Sequence, residues 1–255
     1  MSKRFKGKSW TYCVVPGIST AGDHVVAREF FPVSKRANLP QVPACDSYNR
    51  AKAELEHYAT AVLPFGATNA EASATLATMV PPRLKKNQKL ARSMAAGAGI
   101  THVSQDAGRS WDQEMGVPLD AERLERLWPY IVRGLAQHEF KVLLPDDECV
   151  VTAHFMGSAG RALFDSLLAL NGERVGRDLG NGVFMYEGLQ SPESPRLTIW
   201  RMSVYGAIVG DDERAPVERT SLIGALTGPR SMPAANEFVR LLQTSVAPAR
   251  SRLPA

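Results

Sequence analysis

Residues capable of hydrolytic and metal-ion chemistry are concentrated near the N-terminus. Asp23 and His24 are adjacent, and Asn38 and Asn49 follow them. A neutral imidazole titrates at about pH 6.5, so a histidine can take a proton from water at neutral pH. Carboxylate and amide oxygens are ligands for hard cations such as Mg²⁺ and Mn²⁺. An Asp-His dipeptide alone is a weak signal, because it also occurs by chance around an ordinary hydrogen-bonded histidine.

The neighbouring residues make the pattern more specific. In order, the chain carries Asp23-His24-Val25-Val26, Phe30-Phe31-Pro32, Asn38, Val42-Pro43-Ala44-Cys45, Asn49 and Lys52. This arrangement resembles the HNH endonuclease family over residues 10–60, and its residues around the motif look like those of one bacterial branch. A weaker likeness to that branch continues at Arg133-Gly134-Leu135 and Gly182-Val183-Phe184.

The resemblance implies a fold and a role for each residue. The core of the family is a β-hairpin followed by a helix around one metal ion. His24 would activate water as a general base, and Asp23 and Asn49 would be the metal ligands. Asp23 and His24 can serve one site if the strand is strongly twisted at its end, as it is in this family. Asn38 would support catalysis by holding the hairpin loop through hydrogen bonds to the backbone, which an ordinary turn asparagine would also do.

The implied activity is hydrolysis of phosphodiester bonds in nucleic acid, with DNA as the expected substrate. Two oxygen ligands completed by water and phosphate favour Mg²⁺ or Mn²⁺ over Zn²⁺. Two alternatives stay open. One is a non-catalytic nucleic-acid-binding or regulatory protein on the same fold, and the other is an RNA-directed nuclease.

The cysteines depart from the family pattern. Many relatives carry two Cys-x-x-Cys pairs that bind a structural zinc, whereas here Trp10 precedes Cys13 and Tyr48 follows Cys45 at the paired positions. Two thiols do not complete a tetrahedral zinc site. We therefore expect no structural zinc, and predict that the four side chains form a metal-free cluster in which Trp10 and Tyr48 bury apolar area.

Spacing on the helix that follows suggests further contacts. Asn49, Lys52 and Glu56 recur at intervals of three and four, so they share one helix face. Lys52 could contact a phosphate or form a solvated pair with the glutamate. Arg50 lies off this face and is predicted to contact nucleic acid or solvent. His57 could add a metal ligand or be an ordinary surface histidine.

Composition sets the broad class of the protein. The 255 residues are 44% hydrophobic and 22% charged, which excludes a mostly disordered chain, a coiled coil and a collagen-like fibre. A net charge of +4 permits a polyanionic partner. No stretch has the length of a signal peptide or membrane helix, and three cysteines are too few for a disulfide framework, so we expect a cytoplasmic protein without a membrane partner.

The periodicity of the apolar residues and the positions of helix-breaking and turn-forming residues predict an α+β protein. We expect an HNH nuclease module at 1–62, a basic helical connector at 63–118, an α+β domain of unknown role at 119–210, and a tail at 211–255. Helices are predicted at 47–61, 69–80, 83–92, 120–140 and 234–244, and strands at 150–156, 182–186 and 196–205. The domain at 119–210 is predicted to be an antiparallel sheet with one or two packed helices.

Overall fold

The computed structural model describes residues 5–9, 11–12, 19, 21–67, 69–104, 111–156, 158–206 and 222–232. For 101–104, 111–115 and 158–159 the backbone alone is described. These residues form an α+β fold, as predicted. The helix predicted at 234–244 lies outside the described residues.

A short hairpin and a helix open the fold. Strands β1 (Ala21–His24) and β2 (Gln41–Ala44) pair antiparallel, with Asp23 opposite Val42 and His24 opposite Gln41. Helix α1 (Asp46–Val62) follows directly, as predicted. Its N-cap is Cys45, whose Sγ accepts from the backbone N–H of Tyr48 at 3.5 Å, so the predicted cap at Asp46 or Ser47 was wrong by one or two residues. The order strand, strand, helix is the arrangement that the HNH resemblance implies.

Three short helices and a second hairpin follow. They are α2 (Ala70–Thr78), α3 (Val80–Lys86), α4 (Gln88–Gly97), β3 (Gly99–Ser104) and β4 (Trp111–Gly116). The helix predicted at 83–92 is two helices, because Asn87 ends α3 and caps α4 by accepting from the N–H of Leu90 at 3.1 Å. Pro81 and Pro82 occupy the first turn of α3, where proline is tolerated, rather than ending a helix.

Helix α5 (Ala121–Glu139) is capped by Asp120, as predicted, and contains Pro129. It packs against α1 and β2 on one side and against the C-terminal sheet on the other. Gly134 lets the helix approach the residue that follows β1, because a Cβ there would lie 2.8 Å from Cγ1 of Val25. The helix therefore fixes the end of β1 relative to the rest of the molecule.

The C-terminal sheet has five antiparallel strands in the order β5-β9-β8-β7-β6. Its elements are β5 (Cys149–Phe155), α6 (Ser158–Leu168), β6 (Glu173–Leu179), β7 (Phe184–Gln190), β8 (Thr198–Val204) and β9 (Leu222–Pro229). The predicted strands at 150–156 and 196–205 and the turn at Asn181-Gly182 are confirmed, whereas the domain boundary predicted at 210 was wrong, because β9 of the predicted tail lies inside the sheet. The strand predicted at 182–186 begins two residues later, because Asn181 and Gly182 both have positive φ in the turn.

The two faces of this sheet bury different helices. Trp200 and Ala225 join the large core shared with α5, the hairpin and α1, whereas Ile199 and Leu226 pack with Phe164 of α6. Alternation along the strands produces this division, since neighbouring side chains point to opposite faces. One core thus connects the hairpin to the C-terminal sheet.

Candidate active site

A cavity of about 220 Å³ brings together residues of β1 and α1. Asp23 comes from the strand and Asn49 from the first turn of the helix. The residues lining the cavity are Asp23, Ala27, Glu29, Asn49, Ala53, Glu56, His57 and Thr60. Asn49, Ala53, Glu56 and Thr60 recur at three and four residues, so one face of α1 forms a wall. The two predicted metal ligands therefore face the same space.

Asp23 is buried and held from two directions. Its Oδ2 accepts from the hydroxyl of Tyr12 at 2.6 Å and from Nζ of Lys52 at 2.8 Å. Both of these bonds use the same carboxylate oxygen, which leaves Oδ1 for a ligand. Burial and the adjacent Asp23 carboxylate raise the pKa of Tyr12 well above its ordinary value, so this hydroxyl stays protonated and donates.

Lys52 is fully buried, which corrects the prediction that it contacts a phosphate. Its ammonium donates to Asp23 and to the backbone carbonyl of His24 at 2.6 Å, and lies 2.8 Å from Oε1 of Glu56. Burial lowers the pKa of Lys52, but the two carboxylates outweigh it and the pKa is raised overall. Because its ammonium group contacts two acidic side chains inside the protein, Lys52 has a structural role.

Glu56 is the second acid of this network. Burial raises its pKa to about 7, against the lowering effect of the Lys52 ammonium. Oε1 lies 2.8 Å from the Lys52 ammonium and is ion-paired with it. An ion-paired carboxyl with a raised pKa therefore borders the cavity.

His24 occupies the other side of the strand from Asp23. Its ring is half-buried, and its Nε2 lies 2.8 Å from the side-chain amide nitrogen of Gln41, directly across the hairpin. Burial, aided by the positive charge of Arg28, lowers its pKa below 6.5. The imidazole is therefore neutral at physiological pH. It is not among the residues that line the 220 Å³ cavity.

Asn38 and Arg50 are both exposed. Asn38 adopts a left-handed backbone conformation with φ of 58° in the hairpin loop, a conformation that asparagine tolerates better than most residues. Asn38 is thus a turn residue of the loop, and its predicted side-chain hydrogen bonds to the backbone stay a prediction. Arg50 projects from the first turn of α1, next to Asn49, where it is open to a large ligand.

Aromatic packing surrounds Tyr48, one of the four residues of the predicted metal-free cluster. Tyr48 packs against Tyr12, with ring centroids 6.4 Å apart, and against Tyr130 of α5 at 6.2 Å. Cys45 is a buried free thiol. Trp10 and Cys13 lie outside the described residues, so the predicted four-residue cluster and the absence of zinc stay predictions.

Sequence reasoning did not assign Tyr12, Glu29 or Glu56 to the site. Glu56 shares the helix face of Asn49 and Lys52, so a signal for it was present in the spacing. Tyr12 had no such signal, because its contact with Asp23 depends on the path of the chain before β1. His57 is exposed and also lines the cavity, which leaves both of its interpretations compatible with the structure.

The donor set of the cavity fits a hard divalent cation. Asp23 offers Oδ1 and Asn49 offers an amide oxygen. Within the described residues, no three His, Cys, Asp or Glu side chains are grouped closely enough to bind a metal unaided. A cation here would therefore take two protein ligands and complete its shell with water and phosphate.

The chain was compared with models of known families, with curated proteins and with solved structures, and none of them matches. The likeness to HNH endonucleases thus stays a prediction from the motif. No helix in the described part of the chain is long and apolar enough to cross a membrane.

Proposed function

We propose that this chain is a metal-dependent endonuclease of the HNH type, which hydrolyses phosphodiester bonds of DNA. One observation carries the proposal: Asp23 from the end of a β-hairpin and Asn49 from the start of the next helix line the same cavity. This pairing of elements and residue types is what a one-metal phosphodiesterase site needs. Mg²⁺ or Mn²⁺ bound by Asp23 and Asn49 would stabilise negative charge on the phosphate and the leaving oxygen.

His24 would supply the base, although its ring lies on the other side of β1 from Asp23 and does not line the cavity of Asp23 and Asn49. Its lowered pKa keeps the imidazole neutral at pH 7, so a ring nitrogen can accept a proton from water. The contact with Gln41 selects the nitrogen. The amide nitrogen of Gln41 can only donate, so Nε2 carries the lone pair and Nδ1 the proton, and Nε2 would be the base after exchanging this hydrogen bond for one to water. The backbone carbonyl of His24 is held by Lys52, which fixes the residue beside Asp23.

A second candidate function is nucleic-acid binding without cleavage. It is favoured by the Lys52 ammonium, which already neutralises charge on Asp23 and so competes with a cation for that carboxylate. In that case the cavity would be structural, and exposed cations such as Arg50 would carry the interaction.

Nicking of supercoiled plasmid separates the two functions. The proposal predicts nicking by protein stripped of metal once Mg²⁺ or Mn²⁺ is added, and none in EDTA. His24→Ala protein, purified in parallel, controls for contaminating nucleases. Binding of the plasmid by folded wild-type protein without nicking at any Mg²⁺ or Mn²⁺ concentration would support the second function instead. The same assay on single-stranded DNA and on RNA tests the choice of DNA.

A further inference from the structure

A second cavity, of about 390 Å³, adjoins the candidate active site. Tyr12 lines it and donates its hydroxyl hydrogen bond to Asp23, which lines the first cavity. On α1, Tyr48 lines the second cavity and the next residue, Asn49, lines the first. The two cavities are therefore neighbours, and the hydrogen bond between Tyr12 and Asp23 connects their walls. A volume of this size lies within the range of about 300–1,000 Å³ that small ligands occupy.

Three tyrosines form one wall of this second cavity. Tyr130 meets Tyr12 edge-on with centroids 5.7 Å apart and meets Tyr48 edge-on at 6.2 Å. Tyr12 is buried, whereas Tyr48 and Tyr130 are partly exposed. Because each ring packs against the other two, the partly exposed rings of Tyr48 and Tyr130 form an aromatic surface that is held in place. Aromatic surfaces of this kind stack with bases of single-stranded nucleic acid, whatever the base.

The charges around the cavity are balanced. Arg126 and Arg133 contribute two positive charges, and Glu125 and Asp146 contribute two negative charges. Arg133 is ion-paired with Asp146, so its charge is already compensated. A phosphate would gain little in such surroundings. A neutral planar ring with polar edges is better matched, since it can stack on tyrosine and meet both donors and acceptors at its rim.

We propose that this cavity binds one unpaired base of a nucleic-acid substrate, stacked on Tyr130 with Tyr48 against its edge, beside the phosphodiester at the active site. The inference rests on the proposed function only in taking nucleic acid as the substrate. It implies that the protein prefers single-stranded or locally unpaired nucleic acid over intact duplex.

Equilibrium binding in EDTA tests this without requiring cleavage. Fluorescence anisotropy would compare an oligothymidine with an abasic strand of equal length, which keeps the phosphates and lacks the bases. Wild type is expected to bind the base-containing strand about tenfold more tightly. Tyr130→Leu should abolish this difference while leaving affinity for the abasic strand unchanged. Tyr130→Phe keeps the ring and should behave as wild type.

Two results would overturn the inference: equal affinity of wild type for both strands, or equal weakening of both by Tyr130→Leu. If Tyr130→Leu does not fold, fluorescence of 2-aminopurine in a bound single strand provides a test in the wild type. Stacking on tyrosine should change its emission, and unchanged emission would contradict the proposal. Base-dependent binding without nicking would refute the proposed nuclease alone. Nicking without base-dependent binding would refute this inference alone, and failure both to nick and to bind any strand would refute both.

Discussion

Nζ of Lys52 lies 2.8 Å from Oδ2 of Asp23, and this buried pair joins the helix to the strand at the centre of the site. The same ammonium reaches Glu56 and the His24 carbonyl. A lysine that was a candidate for phosphate binding is therefore the residue that orients a proposed metal ligand and the backbone of the proposed base.

Replacing Lys52 should destabilise the fold strongly. Lys52→Met leaves the carboxylates of Asp23 and Glu56 buried without their cation, and removal of one partner of such a pair costs about 3–5 kcal/mol. Urea denaturation measures the free energy of unfolding. Lys89→Met, at an exposed position of α4, is the control and should change it by less than about 0.5 kcal/mol. Equal stabilities of the two variants would show that the pair is not structural.

Replacing His24 should remove activity and keep the fold. We expect His24→Ala to lower the nicking rate by about 10² to 10⁴, the usual contribution of a general base. Added imidazole should restore part of the rate, because it can enter the space left by the ring. A folded variant that nicks at the wild-type rate would exclude His24 as the base.

Stability should depend on pH through Glu56. Its pKa is raised from 4.5 to about 7 in the folded state by burial, with Lys52 opposing the shift and Asp23 and Glu29 adding to it. The folded state thus binds more protons than the unfolded state in this window, so the contribution of Glu56 to stability falls as pH rises from 4.5 to about 7.

Glu56→Gln removes that contribution. The free energy of unfolding of wild type minus that of Glu56→Gln, measured without metal, should therefore decrease between pH 4.5 and pH 7. Glu54→Gln, at an exposed position of the same helix, should give a difference that is flat with pH. A flat difference for Glu56→Gln as well would mean that its pKa is not raised.

Arg50 is predicted to contact a phosphate of the substrate. Arg50→Gln should weaken binding to all duplex sequences alike and reduce the slope of log affinity against log salt by about 0.9, the value for one phosphate contact on B-DNA. Arg161→Gln, at an exposed position of α6, is the matched control. An unchanged slope for Arg50→Gln would place this residue outside the interface.

Helix α1 was predictable because its signals are local, whereas the hairpin was expected only from the resemblance to HNH endonucleases. Pro64 follows the last turn of the helix. The inward direction of Lys52 was not predictable, since spacing shows which residues share a face but not whether that face meets solvent or a buried carboxylate. Tyr12 was missed for the same reason, because its partner belongs to another segment.

Parts of the C-terminal region were missed for different reasons. Strand β6 is an edge strand whose residues are mostly exposed and charged, so it lacks the alternation that marks a half-buried strand. Helix α6 has a signal, since Leu163 and Leu167 are four apart and Phe164 and Leu168 repeat that spacing. Its apolar run is short and lies among small residues, which weakens that signal.

The dependence of plasmid nicking on Mg²⁺ concentration tests the one-metal site most directly. Asn49→Ala removes one of the two proposed protein ligands while leaving the Asp23–Lys52 pair in place. We predict that it raises the Mg²⁺ concentration giving half the maximal rate by about tenfold or more, corresponding to about 1.4 kcal/mol. Asn171→Ala, at an exposed position before β6, should leave the curve unchanged. Identical curves for all three proteins, or nicking that persists in EDTA, would contradict a metal site formed by Asp23 and Asn49.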